Sequence, residues 1–220
     1  MEDLRAEFPV LERVGYLNAG TNGPVPRRAF DAAQASLREQ LERGRSSRPW
    51  FEAQIARIDE LRARVAAAIG ATQADVAITG STTDGVNAVL NALDIRPGDE
   101  LLTSDEEHPG VLGPLATARD TRGATVRVVP FAELPGEVTE ATRVVVCSHV
   151  SWTTGRVMDT AALAATDALV VLDGSQGLGA VPLDMEALGC DFYAASGQKW
   201  MCGPGGIGYL YVRQQLVPEL

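Results

Sequence analysis

Apolar residues recur at three- and four-residue spacing through residues 25–43 (VPRRAFDAAQASLREQLER) and 51–69 (FEAQIARIDELRARVAAAI), which predicts two amphipathic helices early in the chain. After Gly70 the pattern changes to short, nearly unbroken apolar runs: Val76–Thr79, Glu100–Thr103, Thr125–Val129, Arg143–Ser148, Ala168–Asp173 and Asp191–Ala194. Helical stretches such as 83–93 and 110–119 lie between them and are long enough to serve as crossovers. Strands that are apolar on both sides belong in a sheet covered on both faces, so the pattern predicts an α/β fold with a mostly parallel sheet sandwiched by helices. The last run, Gly206–Val212, follows too closely for a crossover helix and is expected to pair antiparallel. No internal repeat or low-complexity linker interrupts the series.

At 220 residues, with 45% hydrophobic and 22% charged residues, the chain can bury one sizeable core. Its net charge of −10 argues against nucleic acid or an anionic membrane as partner, since both need a basic face. No segment approaches the roughly 18 consecutive apolar residues of a membrane span. The opening MEDLRAEFPVLERVGYL is charged and periodic, unlike the basic stretch and apolar core of a secretion signal. Cys147, Cys190 and Cys202 are an odd number, far apart and without a CxxC pair, which fits a reducing cytoplasm and no metal site. All three are expected to be small buried hydrophobes. Lysine usage changes the picture most: of 19 basic residues 18 are arginine, and the sole lysine is Lys199. An imine with an aldehyde requires a primary amine that can lose its proton, which guanidinium cannot do.

Four segments fall at the carboxyl ends of predicted strands, where open α/β sheets bind ligands. Ile78-Thr79-Gly80-Ser81-Thr82-Thr83-Asp84 leads from a strand into a helix. Its free N–H groups and hydroxyls could cradle an anion, or its Ser and Thr could simply cap the helix. Asp105-Glu106-Glu107-His108-Pro109-Gly110 offers a histidine that either stacks on a flat ligand or sits solvated in a loop. In Ser148-His149-Val150-Ser151-Trp152-Thr153-Thr154-Gly155, polar donors and a tryptophan suit a pocket wall, and His149 is either a core residue or a ligand contact. The fourth runs from Asp173-Gly174-Ser175-Gln176 to Ser196-Gly197-Gln198-Lys199. An Asp ending a buried strand can hold a pyridinium proton, and the lysine can close an imine.

Taken together, these motifs resemble the class V aminotransferases, the superfamily that includes cysteine desulfurases, selenocysteine lyases, kynureninases and isopenicillin N epimerase. The resemblance runs from Tyr16-Leu17-Asn18-Ala19-Gly20 to Gly203-Pro204-Gly205-Gly206. It implies the large domain of a fold-type-I enzyme dependent on pyridoxal 5′-phosphate, with Lys199 forming the Schiff base and moving protons at the substrate Cα. It further implies that Asp173 pairs with the pyridine nitrogen, Gln176 bonds the ring oxygen and His108 stacks on the ring. Ser81, Thr82, Thr83, Ser196 and Gln198 are implied to surround the phosphate, and Trp152 to wall the cofactor. Two positions depart from the desulfurase pattern. Gln198 stands where many relatives have His, and Trp152 where desulfurases often place Asn. The string HVSWTTGRV is closer to the isopenicillin-epimerase-like and ergothioneine-pathway C–S lyase branches.

On this resemblance residues 1–22 form an N-terminal segment and 23–220 the cofactor-binding large domain. The family's C-terminal small domain, with its carboxylate-binding arginine and a desulfurase's cysteine, lies outside the chain, as would be so for a truncated protein. The expected function is amino-acid chemistry in a cytoplasmic homodimer: β-elimination at a C–S bond first, then transamination or epimerisation, then desulfuration. A non-catalytic remnant is a second reading. A nucleotide-binding α/β domain is the third, with neither GxGxxG nor GxxxxGK[ST] to support it.

Overall fold

The computed structural model describes residues 4–219. Seven strands form one sheet: β1 (Val76–Thr79), β2 (Glu100–Ser104), β3 (Thr125–Val129), β4 (Thr142–Ser148), β5 (Leu169–Asp173), β6 (Phe192–Ser196) and β7 (Gly208–Val212). Their order across the sheet is β1-β7-β6-β5-β4-β2-β3. Neighbours from β6 to β3 pair in parallel, whereas β7 is antiparallel to both β6 and β1. The short approach to β7 leaves no room for a crossover, which is why this strand alone reverses.

Alternation along the strands sends side chains to two cores. Val144, Val146, Val171, Phe192 and Ala194 pack beneath α3 (Thr82–Ala92) and α4 (Pro109–Arg122). Val145, Cys147, Val170, Leu172, Tyr193 and Ala195 face the opposite layer. That layer is built from the end of α2 (Arg48–Ala68) and two short helices, α5 (Thr160–Ala164) and α6 (Met185–Leu188). The central strands are nearly continuous apolar runs because both of their faces are covered, whereas the edge strand β3 carries Arg127 and is partly exposed. Gly85 lets α3 approach the sheet, since a Cβ there would lie 2.8 Å from that of Ala194.

α1 (Arg27–Arg43) buries none of its residues, and its stripe of Phe30, Leu37 and Leu41 is exposed. The predicted 25–43 and 51–69 helices are therefore present within three residues at each end, but α2 reaches the core only through its last turns. The expectation that all three cysteines are buried is corrected at one position. Cys147 and Cys190 are buried, but Cys202 is half-exposed in a tight turn at φ 55°. Among the described residues no helix is long and apolar enough to cross a membrane.

Candidate active site

The parallel strands end on one side of the sheet, and the turns that follow them enclose a cavity of about 310 Å³. All ten residues singled out from the sequence line it: Ser81, Thr82, Thr83, His108, Trp152, Asp173, Gln176, Ser196, Gln198 and Lys199. Gly20 and Thr21 close it from the N-terminal segment, and Ser175 and Gly110 complete the wall. The N-terminal segment is fixed by Gly23 N–H, which donates to the Gln198 carbonyl at 2.7 Å, and a Cβ on Gly23 would lie 2.1 Å from the Lys199 carbonyl oxygen.

At one end, the start of α3 meets β5 and β6. The Thr82 hydroxyl lies 2.7 Å from both the Ser175 and Ser196 hydroxyls, and Thr82 N–H donates to Ser196 Oγ at 3.1 Å. Three hydroxyl protons serve two oxygen–oxygen contacts, so one proton remains to be given elsewhere. Ser81 caps the helix by accepting from Asp84 N–H at 3.1 Å. The capping reading of this turn is therefore found at Ser81, while Thr82 and Thr83 line the cavity.

Asp173 ends β5 and is 5% exposed; its Oδ1 accepts from Ser175 N–H at 2.7 Å. Among the described residues nothing donates to its Oδ2. Lys199 sits in the turn after β6, half-buried, with no hydrogen bond or ion pair to its amine among those residues. Burial lowers its pKa from the ordinary lysine value, and the negative charge of Asp173 only partly offsets that shift. An unpaired amine that loses its proton easily is a nucleophile. Gln176 is held from both sides: Trp200 Nε1–H donates to its Oε1 at 2.8 Å, and its Nε2 donates to the Gly20 carbonyl at 2.9 Å. One N–H of that amide is left for a ligand.

His108 caps α4, its Nδ1 accepting from Gly110 N–H at 3.0 Å, which places the proton of the neutral ring on Nε2. Trp152 stands edge-on to it, with ring centroids 5.5 Å apart. His149, left open by its sequence, is a core residue. It is 3% exposed, its Nδ1 lies 3.1 Å from the Tyr193 hydroxyl, and burial lowers its pKa.

Two acids missed by sequence reasoning fasten this loop. Glu107 is buried and accepts from the Ser104 hydroxyl at 2.5 Å, and from the Ser148 N–H at 2.9 Å and hydroxyl at 2.6 Å. Burial nevertheless raises its pKa, more than those donors lower it. Glu106 gathers the hydroxyls of Ser151, Thr153 and Thr154, tying the loop to the Trp152 turn. The available signal was a pair of acids at one strand end facing a hydroxyl-rich turn at the next.

A sheet of this topology, with a lone lysine, a strand-end aspartate and a hydroxyl cluster at its carboxyl edge, defines a class that comparison with known proteins names. The family of class-V aminotransferases matches residues 16–220, and the chain belongs to it. It is 32% identical to a cysteine desulfurase of Dickeya dadantii and 30% identical to a probable cysteine desulfurase of Methanothermobacter thermautotrophicus. Both alignments take in 100% of this chain, but only 59% and 58% of those relatives, so the chain spans less than two thirds of their length. Among solved structures, 98% of the chain superposes on a lysine-to-alanine variant of C-DES with glycine covalently linked to its PLP cofactor. The TM-score is 0.93 at 32% identity, covering 61% of that protein. The complex of the cystine C–S lyase C-DES with its product cysteine persulfide gives a TM-score of 0.91 at 32% identity, covering 97% of this chain and 61% of that one. The mostly parallel sheet and the fold-type-I large-domain architecture expected from the sequence are thus found.

Proposed function

We propose that this chain is the cofactor-binding part of a pyridoxal 5′-phosphate enzyme acting on an amino acid, with Lys199 as the attachment point. One observation carries the reading: the only lysine in the sequence lies unpaired in the same cavity as Asp173 and the Thr82–Ser175–Ser196 hydroxyls. The residues fit the group. Asp173 Oδ2, free and nearly buried, suits a protonated ring nitrogen, and the spare hydroxyl proton and the start of α3 suit a phosphate. Bound there, pyridoxal phosphate supplies an electron sink for a carbanion beside the substrate nitrogen.

The protein's own groups do the rest. The depressed pKa of Lys199 makes its Nζ available as a neutral amine, first to attach and then to take and return the proton at the substrate Cα. Asp173 holds a proton at the ring nitrogen, and Gln176 offers its remaining N–H to the ring oxygen. Thr82, Thr83, Ser196 and Gln198, with Ser81 behind them, surround the phosphate. His108, fixed by Gly110 and the Glu107 knot, covers one face of the cavity beside Trp152.

Breaking a C–S bond by β-elimination is the favoured reaction, with class-V transamination beside it. Similarity to the cystine C–S lyase C-DES supports that choice, and similarity to the cysteine desulfurases supports desulfuration as the alternative. Residues 23–220 form the cofactor-binding domain, and residues 1–22 enter as a segment that contributes Gly20 and Thr21. A cytoplasmic homodimer with neither nucleic acid nor membrane as partner completes the proposal. The test is the visible spectrum of protein mixed with pyridoxal phosphate. A band in the aldehyde–amine adduct region that vanishes in Lys199→Ala is expected, and a folded wild-type sample without one contradicts the reading.

A further inference from the structure

A second cavity of about 420 Å³ opens beside the lysine cavity and shares Gly20, Thr21, Trp152 and Gln176 with it. Its character is different. Leu17, Val150, Val157, Val181 and the indoles of Trp152 and Trp200 supply its apolar wall beside Asn18, Thr21, Ser151 and Gln176, and among the described residues no acidic, basic or histidine side chain lines it. The walls are held in place. Trp200 is pinned by its Nε1–H to Gln176, and the Trp152 turn is clasped by Glu106 through the three hydroxyls of Ser151, Thr153 and Thr154. The cavity is open: Leu17, Val157, Trp152 and Trp200 are exposed, so a ligand laid against them would cover apolar surface that now faces water.

We infer that this cavity receives the side chain of the amino-acid substrate, and that the substrate class is one with an uncharged, bulky apolar side chain. The inference rests on the proposed reading of the lysine cavity, since contiguity through Gln176 and Trp152 is what connects a side chain here to an amino group at Lys199. A charged side chain would lose its hydration among walls that offer no counter-ion. An unbranched or aromatic side chain would bury apolar surface against two indoles.

The experiment uses the chain in a Trp50→Phe background, so that Trp152 and Trp200 are its only indoles. After addition of pyridoxal phosphate, alanine, norleucine, phenylalanine and aspartate are titrated while both the visible band and tryptophan fluorescence are followed. Norleucine and phenylalanine are expected to half-saturate at concentrations at least about tenfold below alanine, with aspartate weakest. Val157→Asp and Leu17→Asp, two exposed positions that line only the apolar cavity of these two, should reduce that preference to less than about threefold without changing the visible band. A loaded protein that binds alanine and norleucine equally, or prefers aspartate, overturns the subsite and leaves the cofactor reading standing. A protein without the band overturns the cofactor reading, and with it the assignment of this cavity to a substrate side chain, even if its fluorescence still ranks norleucine ahead of alanine. Failure of both signals overturns both.

Discussion

At the amino ends of the parallel strands the surface opens into cavities of about 820 and 500 Å³, both larger than the 310 Å³ cavity at the carboxyl ends. The arginines that line the larger ones already have partners. Arg143 lies 3.3 Å from Asp99; Arg213 lies 3.4 Å from Asp191 and also donates to the carbonyls of Gly189 and Cys190. At the carboxyl ends the charged groups are fewer, Asp173 is nearly buried, and part of the polar groups' bonding capacity is unused. Lys199 and Asp173 share one cavity without an ion pair, one hydroxyl proton of the Thr82 cluster is spare, and Gln176 keeps a free N–H. Size therefore does not mark the site. Buried polar groups are normally satisfied, and where capacity is withheld in a concave place a ligand is the economical explanation.

Substitutions at the two ends test this contrast. The largest effect is expected from Asp173→Asn. Removing the charge opposite a ring cation should weaken pyridoxal phosphate retention at least about tenfold, measured by dialysis and residual absorbance. Unchanged retention would mean that the free Oδ2 faces no such group. Next comes Thr82→Val, which leaves Ser175 and Ser196 without their shared partner. A loss of about 1–3 kcal/mol is expected in urea unfolding, together with weaker cofactor uptake. Stability loss with full uptake would make the cluster purely architectural.

Glu107→Gln tests the loop under His108 through pH. Because burial raises the Glu107 pKa, the folded state holds this proton more tightly than the unfolded chain does. Its contribution is therefore fully present below the unfolded pKa and is lost as pH rises through the folded one. The wild type's advantage over Glu107→Gln should shrink as pH rises above the ordinary carboxylate range, and a constant difference would remove the buried-acid account. The smallest effect belongs to the other end. Arg143→Ala breaks a half-exposed pair and should cost no more than about 1 kcal/mol, with cofactor uptake unaltered. Loss of uptake in that variant would erase the distinction between the two ends.

Much of this was legible in the chain because its causes are local. The central strands, covered on both faces, had to be apolar; β1 to β6 are located to within two residues, and the reversal of β7 followed from a connection too short to cross over. Lys199 and Asp173 were legible because each stands at the end of an apolar run in a distinctive string. Glu106 and Glu107 were not, since acids in a loop ordinarily face water and their partners lie 41 to 48 residues further along the chain, apart from Ser104. Cys202 misled for a related reason: composition suggested a buried hydrophobe, whereas the turn after Lys199 leaves it half-exposed. The apolar stripe of α1 was correctly read as helical, but its period could not show that the described fold leaves it uncovered.

The most direct test of the central claim uses the scarcity of amines in this chain. With one lysine, only Lys199 and the N-terminal amino group can be fixed by borohydride after reaction with pyridoxal phosphate. Peptide mapping should find the pyridoxyl group on the peptide containing Lys199, formed at a pH below that at which an exposed lysine loses its proton, as its lowered pKa requires. Label confined to the N-terminus, or no label in a folded sample, would contradict the account.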